Sequence, residues 1–261
     1  SYEIVQNWRS SHAFPMNTFQ MGLRQRARRI DTKAIVAQRL KRFSSVMNKL
    51  AREPKMQLSQ MQDLGGCRAI VSDVAAVNAL CDVYRGEPRL FTPEVKCYDY
   101  IQSPKSDGYR GVHIVGRYQA RSSGQEFWNG QRIEVQVRSR LQHAFATAVE
   151  TVTTFTRQPL KFGAGPVEWR RFFSLMGSAL ALREGTPLVA ETPADRKELI
   201  AELRDVTKKL KVGERLQGWT AALQTLPKKD VKDFKWLLLV LDTTANTINV
   251  TGYSDRNKAS I

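Results

Sequence analysis

The stretch Asn129-Gly130-Gln131-Arg132-Ile133-Glu134-Val135-Gln136-Val137-Arg138-Ser139-Arg140-Leu141-Gln142-His143 decides the fold. Apolar Ile133, Val135 and Val137 alternate with polar Glu134, Gln136 and Arg138, a period of two that predicts a β-strand with one apolar and one polar face. Val112 to Gln119 alternates as well, and the Asn129-Gly130 turn makes the second run the return arm of a hairpin. The polar face runs at once into Gln142-His143 on a helix, so it is either solvent-exposed or the floor of a site.

Working outward, Leu141 to Val152 and Val167 to Arg183 read as helices, the second with Trp169, Phe172, Phe173, Met176 and Leu180 on one apolar face. Upstream, Asp63-Leu64-Gly65-Gly66-Cys67-Arg68-Ala69-Ile70-Val71 is a short strand entered through two glycines, followed by a helix over about Val74 to Tyr84. Tyr98 to Ile101 is a short β-prone run that leads into a turn at Pro104–Gly108. The order β, α, β, β, α predicts an α+β fold, a mixed sheet flanked by helices.

Residues 1–31 read as a helical arm, and Thr32 to Glu53, free of Gly and Pro, as a basic helix. Val36, Leu40, Phe43, Met47 and Leu50 would form its core stripe, with Arg42, Ser45, Lys49 and Arg52 as an exposed ridge able to bind phosphate. Arg39 falls toward the apolar side of such a helix, so either it snorkels or the helix restarts near Ser44. After Gly185-Thr186-Pro187 the composition shifts: a charged helix over Asp195 to Val212, a second helix to about Leu226 and a hairpin over Lys235 to Tyr253. The expected division is a domain over 1–185 and a C-terminal helical and β-hairpin module over 186–261, open to completion by further residues or a partner.

Of 261 residues, 41 are Lys or Arg and 25 are Asp or Glu, a formal net charge of +16. Residues 1–60 carry +9 of it, a local excess that suits a polyanionic partner. The longest apolar run, Trp236 to Leu241, is far short of a membrane span, and Cys67, Cys81 and Cys97 have neither disulfide-framework nor zinc-ribbon spacing. A cytoplasmic protein without membrane association is expected. Ser stands at position 1, so a native start is expected to precede it.

P-loop, Rossmann and nucleophile-elbow motifs are absent, and His12, His113 and His143 lack metal spacing. Three other segments can carry chemistry. Asp63 before the Gly-Gly strand entry can hold a hard cation, or else cap a turn. Glu134 lies on the polar strand face. Lys96, Tyr98, Asp99, Tyr100, Lys105, Tyr109, Arg110 and His113 crowd around a Pro/Gly loop, a mixture suited to a stacked base with phosphates nearby.

Together these segments resemble the synthetase domain of RelA/SpoT-type alarmone synthetases, a nucleotidyltransferase-like fold. Arg39-Leu40-Lys41 with Ser45, Val46 and Lys49 is similar to the family's R-x-K-x-x-x-S-I-x-x-K pattern, with Val in place of Ile. Asp63-Leu64-x-Gly66-x-Arg68 resembles D-L-x-G-x-R, and Tyr98 to Ile101 through Pro104-Lys105-x-x-Gly108-Tyr109-Arg110-x-x-His113 resembles the acceptor loop. Glu134 to Arg138 with Gln142 to Ala146 resembles E-x-Q-x-R-[ST]…Q-H-A-W-A, with Ser139 for Thr and Phe145 for Trp. The likeness covers roughly residues 35–155.

The resemblance implies pyrophosphate transfer from ATP to a ribose 3′-hydroxyl. It gives Arg39, Lys41, Ser45, Lys49 and Arg68 to ATP, and Asp63 and Glu134 to Mg²⁺, with Glu134 also the base for the attacking hydroxyl. Tyr109, Lys105, His113, Gln136, Arg138 and His143 fall to the acceptor. The basic run Arg24, Arg26, Arg28 and Arg29 lies outside these motifs and is not required by a mononucleotide, so the expected acceptor leans to the 3′-CCA end of tRNA, as in toxic relatives with a fused neutralising domain. GDP or GTP, giving guanosine tetra- or pentaphosphate, is the alternative, and an inactive RNA-binding relative is the second. On the same likeness the C-terminal module would bind the synthetase domain or a protein trigger, and no hydrolase H-D pair is present to degrade the product.

Overall fold

Alternation along β5 (Arg132–Ser139) sets the centre of a five-stranded sheet with order β1-β2-β5-β4-β3. The computed structural model describes residues 2–86, 95–156, 165–215, 236–242 and 247–253. Strand β2 (Gly65–Val71) runs parallel to β5, while β4 (Val112–Arg117) pairs with β5, and β3 (Lys96–Asp99) with β4, in antiparallel fashion. Ile133, Val135 and Val137 are fully buried, with Cys67, Ala69 and Val71 of β2 and Val112 and Ile114 of β4 beside them. That face is sealed by helix α2 (Ala13–Ile30), through Phe19, Leu23 and Ala27, and by α4 (Val74–Gly86), through Val77, Leu80 and Tyr84. A mixed α+β sheet flanked by helices is therefore what the chain forms.

Thr32 to Glu53 is not one helix. Residues Ile35–Leu40 form strand β1, antiparallel to β2, and only Phe43–Arg52 form a helix, α3. Val36 and Leu40 stand four apart, which places them on one face of a helix and equally on one face of a strand. Pairing with β2 decides between the two, and both side chains pack on the core from β1. The helix restart expected with Ser44 as its cap is present two residues earlier, with Arg42 before the first turn. Its buried residue is Val46, which packs with Leu64 and Met61, while Met47, expected in the stripe, is exposed.

Helix α5 (Arg140–Thr156) leaves the end of β5, and α6 (Val167–Glu184) packs on it with Phe145 edge-on to Phe173. α6 buries Trp169, Phe172, Phe173, Leu175 and Ala181, while Met176 and Leu180 of the expected face are half-buried. N-terminal to all of these, α1 (Tyr2–Ser11) places the Arg9 guanidinium on the Lys41 carbonyl at 2.6 Å.

Contacts divide the chain after Val206. Residues 186–206 stay with the first unit because Leu199 of α7 (Arg196–Lys209) is fully buried, Glu202 chelates the Arg171 guanidinium at 2.6 and 2.7 Å, and Thr192 bonds Ser178. The boundary read at 185/186 thus falls inside that unit. In the second unit, β6 (Trp236–Asp242) and β7 (Thr247–Tyr253) pair as an antiparallel hairpin. The second helix expected up to Leu226 lies outside the described residues. Among the described residues no helix is long and apolar enough to cross a membrane.

Candidate active site

Strand registry assembles the polar face. Glu134 stands opposite Gly66 of β2, which stands opposite Arg39 of β1, and the next row in register holds Arg68, Gln136 and His113. Arg138 completes the β5 row. Every one of these side chains is on the face opposite α2 and α4, because the strands' alternate residues fill the core.

Glu134 is the centre of the floor, 14% exposed like His113. One carboxylate oxygen meets His113 Nδ1 at 2.9 Å, and the other accepts from Gln136 Nε2 at 2.7 Å. Gln136 Oε1 in turn accepts from Arg68 Nε and Nη2 at 3.2 and 3.1 Å and from Arg138 Nη2 at 2.9 Å. Arg138 Nη2 also donates to the Tyr109 hydroxyl at 2.8 Å, and that hydroxyl lies 2.6 Å from His113 Nε2, which closes the ring. Burial pushes the Glu134 carboxyl up, but the bonds from His113 and Gln136 outweigh it and hold the group below the usual carboxylate range. Glu134 is ionised at neutral pH. Burial raises the Tyr109 phenol against the pull of Arg138, so Tyr109 stays protonated.

Asp63 sits at the mouth of β2. Its carboxylate is paired with Lys41 and, at 3.3 Å, with Lys49 of α3. Burial pushes Asp63 up, but the two ammonium groups prevail and hold it below the aspartate range. The backbone of Lys41 is fixed from two sides, its N–H on the Leu64 carbonyl at 2.8 Å and its carbonyl on Arg9. Ser45 is exposed one turn before Lys49. Arg39 is exposed on the same sheet face, and burial with Arg138 nearby lowers the Arg68 guanidinium, which nonetheless remains a cation.

The two glycines between Asp63 and Arg68 differ. A Cβ on Gly65 would lie 2.9 Å from Ile133 Cδ1 and 3.3 Å from His12 Cβ, so a larger residue there would have to displace the Ile133 side chain in the core. A Cβ on Gly66 would meet nothing nearer than the Arg39 and Glu134 carbonyl oxygens at 3.8 Å.

The β3–β4 loop forms the other wall. Lys105 Nζ lies 4.3 Å from the Tyr100 ring centroid and 5.3 Å from that of Tyr109, and Tyr98 stacks on Tyr100 at 6.2 Å. His143, in the first turn of α5, is lowered by burial and by Arg68 and Arg138, so it is neutral, and its buried Nδ1 has no partner among the described residues.

Arg39, Lys41, Ser45, Lys49, Asp63, Arg68, Lys105, Tyr109, His113, Glu134, Gln136, Arg138 and His143 therefore belong to one face and its rim. Arg24, Arg26, Arg28 and Arg29 do not: they ride on α2, over the opposite face. Three of them are exposed, and the guanidinium of Arg26 is 5.8 Å from the Tyr84 ring. Sequence reading overlooked Glu184, which accepts bonds from Ser139 and Gln142 at the head of α5. Only the Ser139-x-x-Gln142 spacing, a helix-start signal, pointed to that corner.

Among the described residues no three His, Cys, Asp or Glu side chains converge as a metal cluster. Magnesium is commonly held by one or two carboxylates, with water and substrate phosphates completing its shell. Asp63 and Glu134 are the carboxylates of this face that could take such an ion, at Asp63 in place of the Lys41 and Lys49 ammonium groups that pair with it here.

The mixed sheet with its flanking helices matches the fold of the small alarmone synthetases. Small alarmone synthetase 2 from Bacillus subtilis superposes with a TM-score of 0.55 at 17% identity, covering 69% of this chain and 94% of that one. A GTP pyrophosphokinase family protein from Streptococcus pneumoniae does so with a TM-score of 0.54 at 18% identity, covering 69% and 89%. Residues 38–158 match the family described as the region found in RelA / SpoT proteins. GTP pyrophosphokinase YwaC of Bacillus subtilis (strain 168) is 34% identical over 82 residues, 30% of this chain and 38% of that protein's length.

Proposed function

We propose that this chain is a pyrophosphokinase that moves the β,γ-pyrophosphate of ATP to the ribose 3′-hydroxyl of GDP or GTP. The observation that carries the reading is Glu134: an ionised carboxylate, aimed by His113 and Gln136, in a field of cations. In the reaction the 3′-oxygen bonds to the β-phosphorus, the bond from that phosphorus to the α,β-bridging oxygen breaks, and AMP leaves. Glu134 takes the hydroxyl proton. Lys41, Lys49, Arg39 and Arg68 offset the charge on the triphosphate, and Asp63, with Glu134, would hold Mg²⁺. Bound there, that ion supplies charge neutralisation to the transferred group. Tyr109, Lys105 and Tyr100 would receive the acceptor base, and neutral His143 offers a hydrogen-bonding nitrogen at its rim.

A guanine acceptor is favoured over tRNA by the relative named a GTP pyrophosphokinase and by the place of the basic cluster. Arg24, Arg26, Arg28 and Arg29 were the reason to expect tRNA, and they lie across the sheet from Glu134. An inactive RNA-binding role fits poorly with an intact Glu134 and Asp63. Incubation of the full chain with γ-labelled ATP plus GDP, GTP or deacylated tRNA, followed by separation of products, tests the reading. Label on the guanine nucleotide is expected. Label on tRNA alone would overturn the acceptor, and label on none would overturn the enzyme.

A further inference from the structure

A buried polar cluster that the proposed chemistry does not use ties the end of one strand to two helices. It lies at the corner where β5 ends, α5 begins and α6 ends. Ser139 is fully buried, and its Oγ accepts from the Gln142 N–H while Gln142 Oε1 accepts from the Ser139 N–H, each at 3.1 Å. This reciprocal box satisfies two N–H groups at the start of α5. Each side chain also donates to Glu184, Ser139 Oγ to one carboxylate oxygen and Gln142 Nε2 to the other at 2.9 Å. A carboxylate bound to a helix's first turn is also favoured by the positive end of that helix.

What the box holds in place matters for the site. Arg138 precedes Ser139 directly, and His143 follows Gln142 directly. Arg138 orients Tyr109 and Gln136, so a turn of the β5–α5 junction would move three acceptor-side groups together. The middle of the same helix, α6, fastens the acceptor loop. Arg110, 2% exposed, donates to the Gly177 and Ile101 carbonyls at 3.3 Å each, and Ser174 Oγ donates to the Ser106 carbonyl. Gly108, at φ +84°, abuts the α6 backbone so closely that a Cβ on Gly177 would lie 2.7 Å from its Cα. No comparable contact from α6 reaches Asp63, Lys41 or Lys49 among the described residues.

We propose that Glu184 is a positioning residue for the acceptor half of the site: through Ser139 and Gln142 it locks the β5–α5 junction and so aims Arg138 and His143, leaving the ATP half to α3 and β1. Glu184 lies beyond residues 38–158, so α6 belongs to the working enzyme although the family region ends before it. The inference rests on the acceptor assignment made above.

Full-length Glu184→Ala and Glu184→Gln are compared with wild type in steady-state transfer and in amide hydrogen exchange. Removal of a hydrogen-bonded charge predicts an acceptor KM raised about tenfold in Glu184→Ala with the ATP KM within about twofold, and partial recovery in Glu184→Gln, which retains one acceptor. Amides over 139–146 should exchange faster, and those of β2 should not. Equal rises in both KM values, or unchanged exchange over 139–146, would overturn the proposal. Should the wild-type chain make no labelled guanine nucleotide, the functional reading fails, and the exchange result alone then decides whether Glu184 locks the junction. Glu184→Gln keeps the test decisive should Glu184→Ala fail to fold.

Discussion

The two faces of the central sheet are made by the same strands and obey opposite rules. On the α2 and α4 side, Ile133, Val135 and Val137 are buried within the apolar core, and their energetic value is removal from water. On the other side, Glu134, Gln136 and Arg138 meet Arg68, His113 and Tyr109 in a hydrogen-bonded ring that spends buried polar groups on orientation. One residue's shift in register would exchange the two sets. Stability and chemistry are thus interleaved at a spacing of one residue, and mutations along β5 should alternate in kind.

The largest effect expected is on chemistry alone. Glu134→Gln keeps the shape of the floor but removes the base, and pyrophosphate transfer should fall by about 10³-fold with the melting temperature nearly unchanged. A parallel loss of both would break the contrast between the faces. Its neighbour Ile133→Ala should do the reverse, destabilising the fold by roughly 3 kcal/mol in urea titration, while KM values of the folded fraction stay near wild type. His113→Phe should move a pH profile. Burial raises Glu134 and the His113 bond lowers it, so its removal lifts the carboxyl, and the acid limb of kcat/KM should shift to higher pH. An acid limb that stays in place would mean that Glu134 is not the group titrating. The smallest effect sharpens the acceptor: Arg24→Ala with Arg28→Ala and Arg29→Ala should alter guanine-nucleotide transfer by less than about twofold, since exposed charges across the sheet are screened from the site.

Much of this was legible in the sequence because period and motif pointed the same way. The alternation from Ile133 to Arg138 foretold both faces of β5, and Asp63, Arg68, Tyr109 and His113 came from motif spacing. Strand β1 was misread because Val36 and Leu40, four apart, satisfy helix and strand alike; only the pairing of Ile35–Leu40 with β2 separates them. That error had hidden why Arg39 belongs with Glu134: as the odd member of a strand it faces the site rather than the core. The arginines of α2 stand out in the sequence as a basic run outside the motifs, but no local period tells which side of a sheet a helix will cover. Glu184 was invisible for a similar reason, its partners lying 42 and 45 residues away in the chain.

Gly65 and Gly66 carry the contrast down to single hydrogen atoms. At position 65 a methyl group would press on Ile133 and His12, so any cost falls on the packing of the core. At position 66 a methyl group has room in the fold, so a cost there would have to come from a substrate entering between Arg39 and Glu134. A saturation library would therefore be sorted by two different filters at adjacent codons, survival of the fold at one and accommodation of a guest at the other.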